Sequence, residues 1–246
     1  MSESSIIKTK PITESKMKGD KENHPMDVAE TIKARKSVRA FKPTPVSRDI
    51  IKGIVEQALR APSWGNTQPW EFAVVTGKKL AKIQEGFLER GDQEPNPDIA
   101  RPYDFPEPYM SRVMALPFRR QMPSKEDMDR RRIQNFQHYG APAVIYLLVG
   151  RSFFYQPKGI NVWSLYDCGS VVQNIMLLAT FHGLGTIAQA QAVVYPDIIR
   201  KVLGTPQSKL IALGIAIGYP DWDNLINESP TEREPASEVT KWYGFE

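Results

Sequence analysis

The spacing of apolar and polar positions separates helical stretches from extended ones along the chain. Asp27 is followed three positions later by Glu30, the form of a capping box, which predicts a helix running to about Arg35. A second helix is expected from its N-cap Ser47 to about Leu59, since Ile50, Ile51, Ile54, Val55 and Leu59 recur at helical spacing. Residues 71–76 (Glu-Phe-Ala-Val-Val-Thr) read as a strand stopped at Gly77, and a helix follows over about 78–89. Another helix is expected over 125–138. The strongest helical pattern spans 164–181, where Leu165, Cys168, Val171, Val172, Ile175, Met176 and Ala179 follow the i, i+3, i+4 rule. With so few charges it reads as a buried central helix or an interface helix, ended by Gly183 and Gly185. Residues 144–149 and 210–217 are continuous apolar runs, the signature of strands covered on both faces. Thr186 to Val193 is expected to be extended, and Ile198 to Leu203 a short helix. Long helices and few strands, without regular alternation, predict an α+β fold rather than a doubly wound one.

Two stretches lack any such period. Residues 1–25 are polar with mixed charge and read as a flexible leader, leaving 26–246 as a single domain. Residues 90–124 hold seven prolines together with Tyr103, Phe105, Tyr109 and Phe118. Such an insertion is either a lid over a site or a surface excursion anchored by its aromatics.

Composition narrows the function classes. The chain has 246 residues, 41% hydrophobic and 24% charged, with a net charge of +4, too small an excess to argue for nucleic-acid binding. A lone cysteine, Cys168, makes neither an internal disulfide nor a multi-thiolate metal site and reads as a small buried hydrophobe. No apolar run approaches a membrane span, and the N-terminus lacks the apolar core of a signal peptide, so a cytoplasmic location is expected.

Few short motifs carry chemistry. Gly183-Leu-Gly185-Thr-Ile-Ala188 has the spacing of a dinucleotide fingerprint, but a helix precedes it and a strand follows, the reverse of the required order. His24, His138 and His182 are scattered; His182 ends the apolar helix, where it meets free carbonyls. The basic cluster Arg130, Arg131 and Arg132 is balanced by Glu126, Asp127 and Asp129 and reads as a solvated helix face. Arg35-Lys-Ser-Val-Arg39 has two readings. It is either a basic helix end complementing the dipole or, if extended, a row of Arg35, Ser37 and Arg39 facing a phosphate and a carbonyl-rich ring.

Arg35-x-Ser37-x-Arg39-x-Phe41, followed by Ala61-Pro62-Ser63-x-x-Asn66-x-Gln68-Pro69-Trp70 and a strand, resembles the N-terminal part of the FMN-dependent nitroreductase superfamily. The C-terminal half agrees through Gly183-Leu-Gly185-Thr after a long apolar helix, Leu213-Gly-Ile-Ala-Ile-Gly-Tyr-Pro-Asp221, Arg233-Glu-Pro235 and Trp242-Tyr-Gly-Phe245. The resemblance implies a mixed, mainly antiparallel central sheet flanked by helices, in a homodimer that holds two FMN at its interface.

Carried over by motif, Arg35 and Ser37 would hold the phosphate and ribityl end, with Lys36 beside them, and Arg39 the N1–C2 edge of the ring. Pro62, Ser63, Trp64, Asn66 and Gln68 belong to the loop that the partner would supply. Ala188, Gln189 and Ala190 would line the ring from the other side, and Arg233 would complete the phosphate site. The implied activity is ping-pong transfer of hydride from NADH or NADPH, through flavin N5, to a small electron-poor acceptor such as a nitroaromatic or quinone. No general acid is required of the protein. Tyr103, Phe105, Tyr109, Phe118 and Arg119 would face the acceptor if the insertion is a lid, and Arg112, Arg119 and Arg120 are candidates to pair an acceptor carboxylate. Reductive dehalogenation or flavin destruction within the superfamily, and non-enzymatic flavin binding, are the alternatives.

Overall fold

The computed structural model describes residues 27–102, 104–116, 124–228 and 231–245. Its centre is a four-stranded antiparallel sheet in the order β1-β2-β6-β5, built from β1 (Trp70–Thr76), β2 (Ala143–Gly150), β5 (Gly185–Gln189) and β6 (Lys209–Gly218). The helices are α1 (Val28–Ala34), α2 (Arg48–Ala58), α3 (Gly77–Arg90), α4 (Tyr109–Met114), α5 (Lys125–Phe136), α6 (Arg151–Phe154), α7 (Val162–Phe181), α8 (Pro196–Leu203) and α9 (Ala236–Val239). A two-stranded hairpin, β3 (Tyr155–Gln156) with β4 (Gly159–Ile160), lies between α6 and α7.

β2 is apolar at every position because helices cover both of its faces. Ile145, Leu147 and Val149 pack into the layer formed by α2 and α7. Val144, Tyr146 and Leu148 pack into the opposite layer with Leu80, Ile83 and Phe87 of α3 and Ile199 of α8. β6 carries one extra residue: Leu147 pairs with Leu213 but Leu148 pairs with Ile211, so Ala212 is skipped and the facing of the strand flips.

The predicted caps form as expected. Asp27 and Glu30 make a reciprocal capping box on α1, and the Ser47 side chain accepts from Ile50 N on α2. α7 starts two residues earlier than its pattern predicts. The expected extended run 186–193 ends early: β5 stops at Gln189, and Gln191–Val193 forms a single 3₁₀ turn. The reason is tertiary. Gly214 of β6 is so closely covered that a Cβ there would lie 2.6 Å from Ala192 Cβ, so the turn lies flat on the sheet.

The first part of the insertion is fastened to the body. Asp98, whose side chain is 8% exposed, accepts from Arg200 Nη2 (2.5 Å), Arg151 Nη2 (3.1 Å) and Ile211 N (2.8 Å). Asn96 N donates to Val194 O, Tyr195 Oη donates to Gln93 O, and Ile99 packs on the α2/α7 core. The second part carries α4, held to the C-terminal segment by an Arg112–Glu234 ion pair of 2.8 Å.

Candidate flavin site

After α1 the chain leaves the helix at Arg35 in extended geometry (φ −61°, ψ 121°) and runs beside β5. Ser37 forms a parallel bridge with Thr186, and Val38 N donates to Thr186 O at 3.0 Å. Phe41 bridges Pro220, and Lys42 N donates to Tyr219 O. An extended strand points alternate side chains to opposite sides. Val38 and Ala40 are buried, whereas Arg35, Ser37 and Arg39 are half-buried on the other side. Between the two readings of this basic motif, the geometry favours a row of donors over a helix-end cluster. Lys36 departs from the row: its amine sits 4.9 Å from the centre of the Trp222 ring.

This segment is held in place by a residue with no motif. Asn227, 2% exposed, accepts from Arg39 N at 2.7 Å and donates to Ala40 O and Asp221 O, both at 2.8 Å. Gly185 permits the close approach of β5, since a Cβ there would lie 2.5 Å from Val38 Cγ2.

Along β5, Thr186, Ile187 and Gln189 are buried and Ala188 is exposed. Ala190, the next residue, is exposed as well. Thr186 Oγ1, beside Ser37, is buried without a hydrogen-bond partner. Gln189 turns its side chain inward, donating from Nε2 to Asn135 Oδ1 at 3.2 Å. Its amide also bears on His138, the second buried residue of this cluster, whose ring lies 3.3 Å from the Tyr146 hydroxyl. Burial holds the His138 imidazole down at about 4, partly opposed by Gln189. Gln189 therefore offers its backbone, not its side chain, to the exposed side of β5.

The second motif lies elsewhere. Residues 62–68 form a loop with a 3₁₀ turn at Trp64–Asn66, and Gly65, Asn66 and Gln68 all have positive φ (56°, 58° and 46°). Ser63 Oγ accepts from Gln68 N, and the buried Asp167 of α7 accepts from Trp64 N at 3.0 Å. Trp64 is 68% exposed, Pro62, Asn66 and Gln68 are exposed, and Ser63 is half-buried. The pairing register fixes how far this loop is from Ser37. Thr186 aligns through Ile217 and Ala143 with Thr76, the far end of β1 from Trp70. At strand spacings of roughly 4.8 Å across and 3.3 Å along, the loop and the basic segment sit about 19 Å apart across the sheet and about 20 Å apart along it. Within one chain the two motifs occupy opposite corners.

Arg233 is exposed, and its Nη1 donates to Thr231 O, Thr231 Oγ1 and Glu232 O in its own turn. Phe105 is half-buried and Tyr109 is exposed with the Arg112 guanidinium over its ring. Arg112 is already paired with Glu234. Tyr103, Phe118, Arg119 and Arg120, and residues 1–25, lie outside the described residues. Cys168 is buried in the α2/α7 core, and burial, aided by the Asp167 charge, pushes its thiol up to about 12, which leaves it unreactive. Among the described residues no helix is long and apolar enough to cross a membrane, and no group of three His, Cys, Asp or Glu is placed to hold a metal ion.

A half-buried row of two guanidinium groups and a hydroxyl, next to an orphaned threonine hydroxyl and an open stretch of backbone, suits a long anionic ligand with a polar ring. Comparison with known proteins agrees. The family model described as "Nitroreductase family" matches residues 32–219. The chain is 30% identical over 230 residues to 4-nitrobenzoate reductase of Pseudomonas putida, covering 89% of this chain and 97% of that protein. Among solved structures, it is similar to the FMN and NADPH-dependent nitroreductase NfnB of Sphigopyxis sp. strain HMH, with a TM-score of 0.79 and 30% identity over 89% of this chain and all of that one. FMN-dependent NfnB of Mycobacterium smegmatis, solved in complex with NADPH, gives a TM-score of 0.77 at 27% identity, over 88% of this chain and all of that one. On this evidence the chain belongs to the nitroreductase family.

Proposed function

We propose that this protein is an FMN-dependent NAD(P)H oxidoreductase that reduces nitroaromatic acceptors, working as a homodimer in the cytoplasm. The observation that carries this reading is the bridge between Ser37 and Thr186, which aligns Arg35, Ser37 and Arg39 beside the exposed positions of β5. FMN, when bound, would supply the redox chemistry, the relay of hydride from NAD(P)H to the acceptor. Each cycle consumes one NAD(P)H and one solvent proton, and converts a nitro group to a nitroso group and water.

The chain's own residues bind and orient. Arg35 and Ser37 would hold the phosphate end by charge-assisted hydrogen bonds, with the unpartnered Thr186 Oγ1 beside them. Arg39 would place a cation beside the ring, where it would stabilise the negative charge of the reduced form. Ala188 and Ala190 leave room for a flat ring against the backbone of β5. The corner-to-corner separation of the two motifs supports a composite site, in which Ser63, Trp64 and Asn66 come from the partner subunit. Val162, Trp163 and Tyr166, exposed at the start of α7 while another face of that helix packs in the core, support α7 as the dimer core.

The test is direct. Purified protein is expected to carry a flavin absorbance spectrum, to bleach anaerobically with NADPH, and to regain colour on adding 4-nitrobenzoate. Protein that stays colourless after incubation with FMN overturns the proposal. Light scattering is expected to give twice the chain mass, and Arg35→Ala is expected to weaken FMN binding at least tenfold.

A further inference from the structure

Six arginines are paired with carboxylates: Arg90 with Asp197, Arg112 with Glu234, Arg130 with Asp127, Arg132 with Asp129, and Arg151 and Arg200 with Asp98. Arg101 differs. It is half-buried, and among the described residues no carboxylate lies within ion-pair distance of it. Its Nη1 donates to Gln191 Oε1 at 2.6 Å, which fixes the direction of the guanidinium. Its Nε is buried with no acceptor. A guanidinium withdrawn from water without a counter-charge is costly unless an anion arrives to meet it.

The position of Arg101 says which anion. From Thr186, beside Ser37, β5 runs past the exposed Ala188 to its end at Gln189, and the exposed Ala190 leads into the 3₁₀ turn that starts at Gln191. The three steps of extended chain from Thr186 to Gln189 span roughly 10 Å, and Gln191 lies beyond them. On the proposed reading, the Ser37 end would hold the phosphate and Ala188 and Ala190 would flank the ring, so Arg101 stands at the ring end, where an acceptor would enter. It lies past the end of β5 opposite to the residues assigned to the phosphate. The backbone that carries it is rigidly placed, because Asp98, three residues earlier, is locked to Arg200 and to Ile211 N.

We infer that Arg101 receives the carboxylate of an aromatic carboxylate acceptor, and so selects nitrobenzoate-type acceptors over neutral nitroaromatics. Gln191 orients the planar group through Nη1, and Nη2 is left to donate to a carboxylate oxygen. This inference rests on the flavin reading of the site.

The experiment compares kcat/KM for 4-nitrobenzoate with that for nitrobenzene in the FMN-loaded enzyme. The wild type is expected to favour the carboxylate substrate, and Arg101→Gln to lower the ratio of the two values by about 10- to 100-fold, mainly through KM for 4-nitrobenzoate. Arg101→Lys, which keeps the charge without the fork, is expected to fall between. A measurement free of variants accompanies it: benzoate is expected to perturb the wild-type flavin spectrum at lower concentration than benzyl alcohol, with an affinity that drops as salt is raised. An enzyme that binds FMN and reduces nitrobenzene, but shows no preference for the carboxylate substrate or keeps its preference in Arg101→Gln, overturns this inference and leaves the proposed function intact. A protein that takes up no FMN overturns both.

Discussion

Replacing Asp98 with alanine removes the carboxylate that joins the insertion, α8 and β6. Three donors lose their acceptor: Arg200 Nη2, Ile211 N and Arg151 Nη2. They do not count equally. Arg200 has 8% of its side chain exposed, its Nε already lacks a partner, and after the change only Lys209 O at 2.7 Å remains for its guanidinium. Stranding a buried charge in this way costs about 3–5 kcal/mol. Arg151 is 39% exposed, so water replaces its lost partner and its share is below about 1 kcal/mol. For a chain of this size each kcal/mol moves the melting temperature by roughly 2–4 °C. Asp98→Ala is therefore expected to melt about 6–20 °C below the wild type, and Arg151→Ala within about 4 °C of it. Calorimetry or far-UV circular dichroism of both variants, each saturated with FMN, measures this. The reasoning fails if Asp98→Ala melts within 3 °C of the wild type, or if Arg151→Ala is the more damaged of the two.

Two further outcomes follow from buried polar groups. His138 is held neutral in the folded chain down to about 4, whereas the unfolded chain takes up a proton near 6.5. Between those values the unfolded state binds more protons, so stability falls as pH is lowered through that window. From pH 7.5 to pH 5 the loss attributable to His138 is about 2 kcal/mol. The melting temperature of the wild type should thus drop more steeply than that of His138→Gln over this range, and parallel curves would show that the imidazole is not buried as described. Asn227→Ala leaves Arg39 N without its acceptor and is expected to cost about 1–3 kcal/mol. Faster hydrogen exchange at residues 38–42 and weaker FMN binding should accompany the loss; unchanged exchange there would remove Asn227 from its holding role.

Much of this architecture was readable from local pattern because local physics decides it. The capping box at Asp27 and Glu30 and the cap at Ser47 act within one helical turn, and the apolar runs of β2 and β6 report burial on both faces. The early end of β5 was not readable. Gln191-Ala-Val is as apolar as the strand before it, and only the close packing of Ala192 over Gly214 turns the chain. The residues that position the site were silent for a similar reason. Asp98, Asp167 and Asn227 are polar residues with no recurring spacing, and their partners lie about a hundred residues away or more: Asp98 with Ile211, Asp167 with Trp64, Asn227 with Ala40. The alternation of Arg35, Ser37 and Arg39 was visible, but it had meaning only if the segment was extended. The bridge to Thr186 supplies that.

That bridge has a second consequence. β5 ends the sheet, and an unguarded outer strand presents free N–H and C=O groups to any passing chain. The stretch from Ser37 to Phe41 covers part of that border: Ser37 and Val38 pair with Thr186, and Phe41 bridges Pro220 beyond. On the proposed reading, in which Ser37 and Arg39 hold the flavin, shielding and recognition share one segment, so starving the protein of flavin and provoking it to aggregate should prove to be one event seen by two assays.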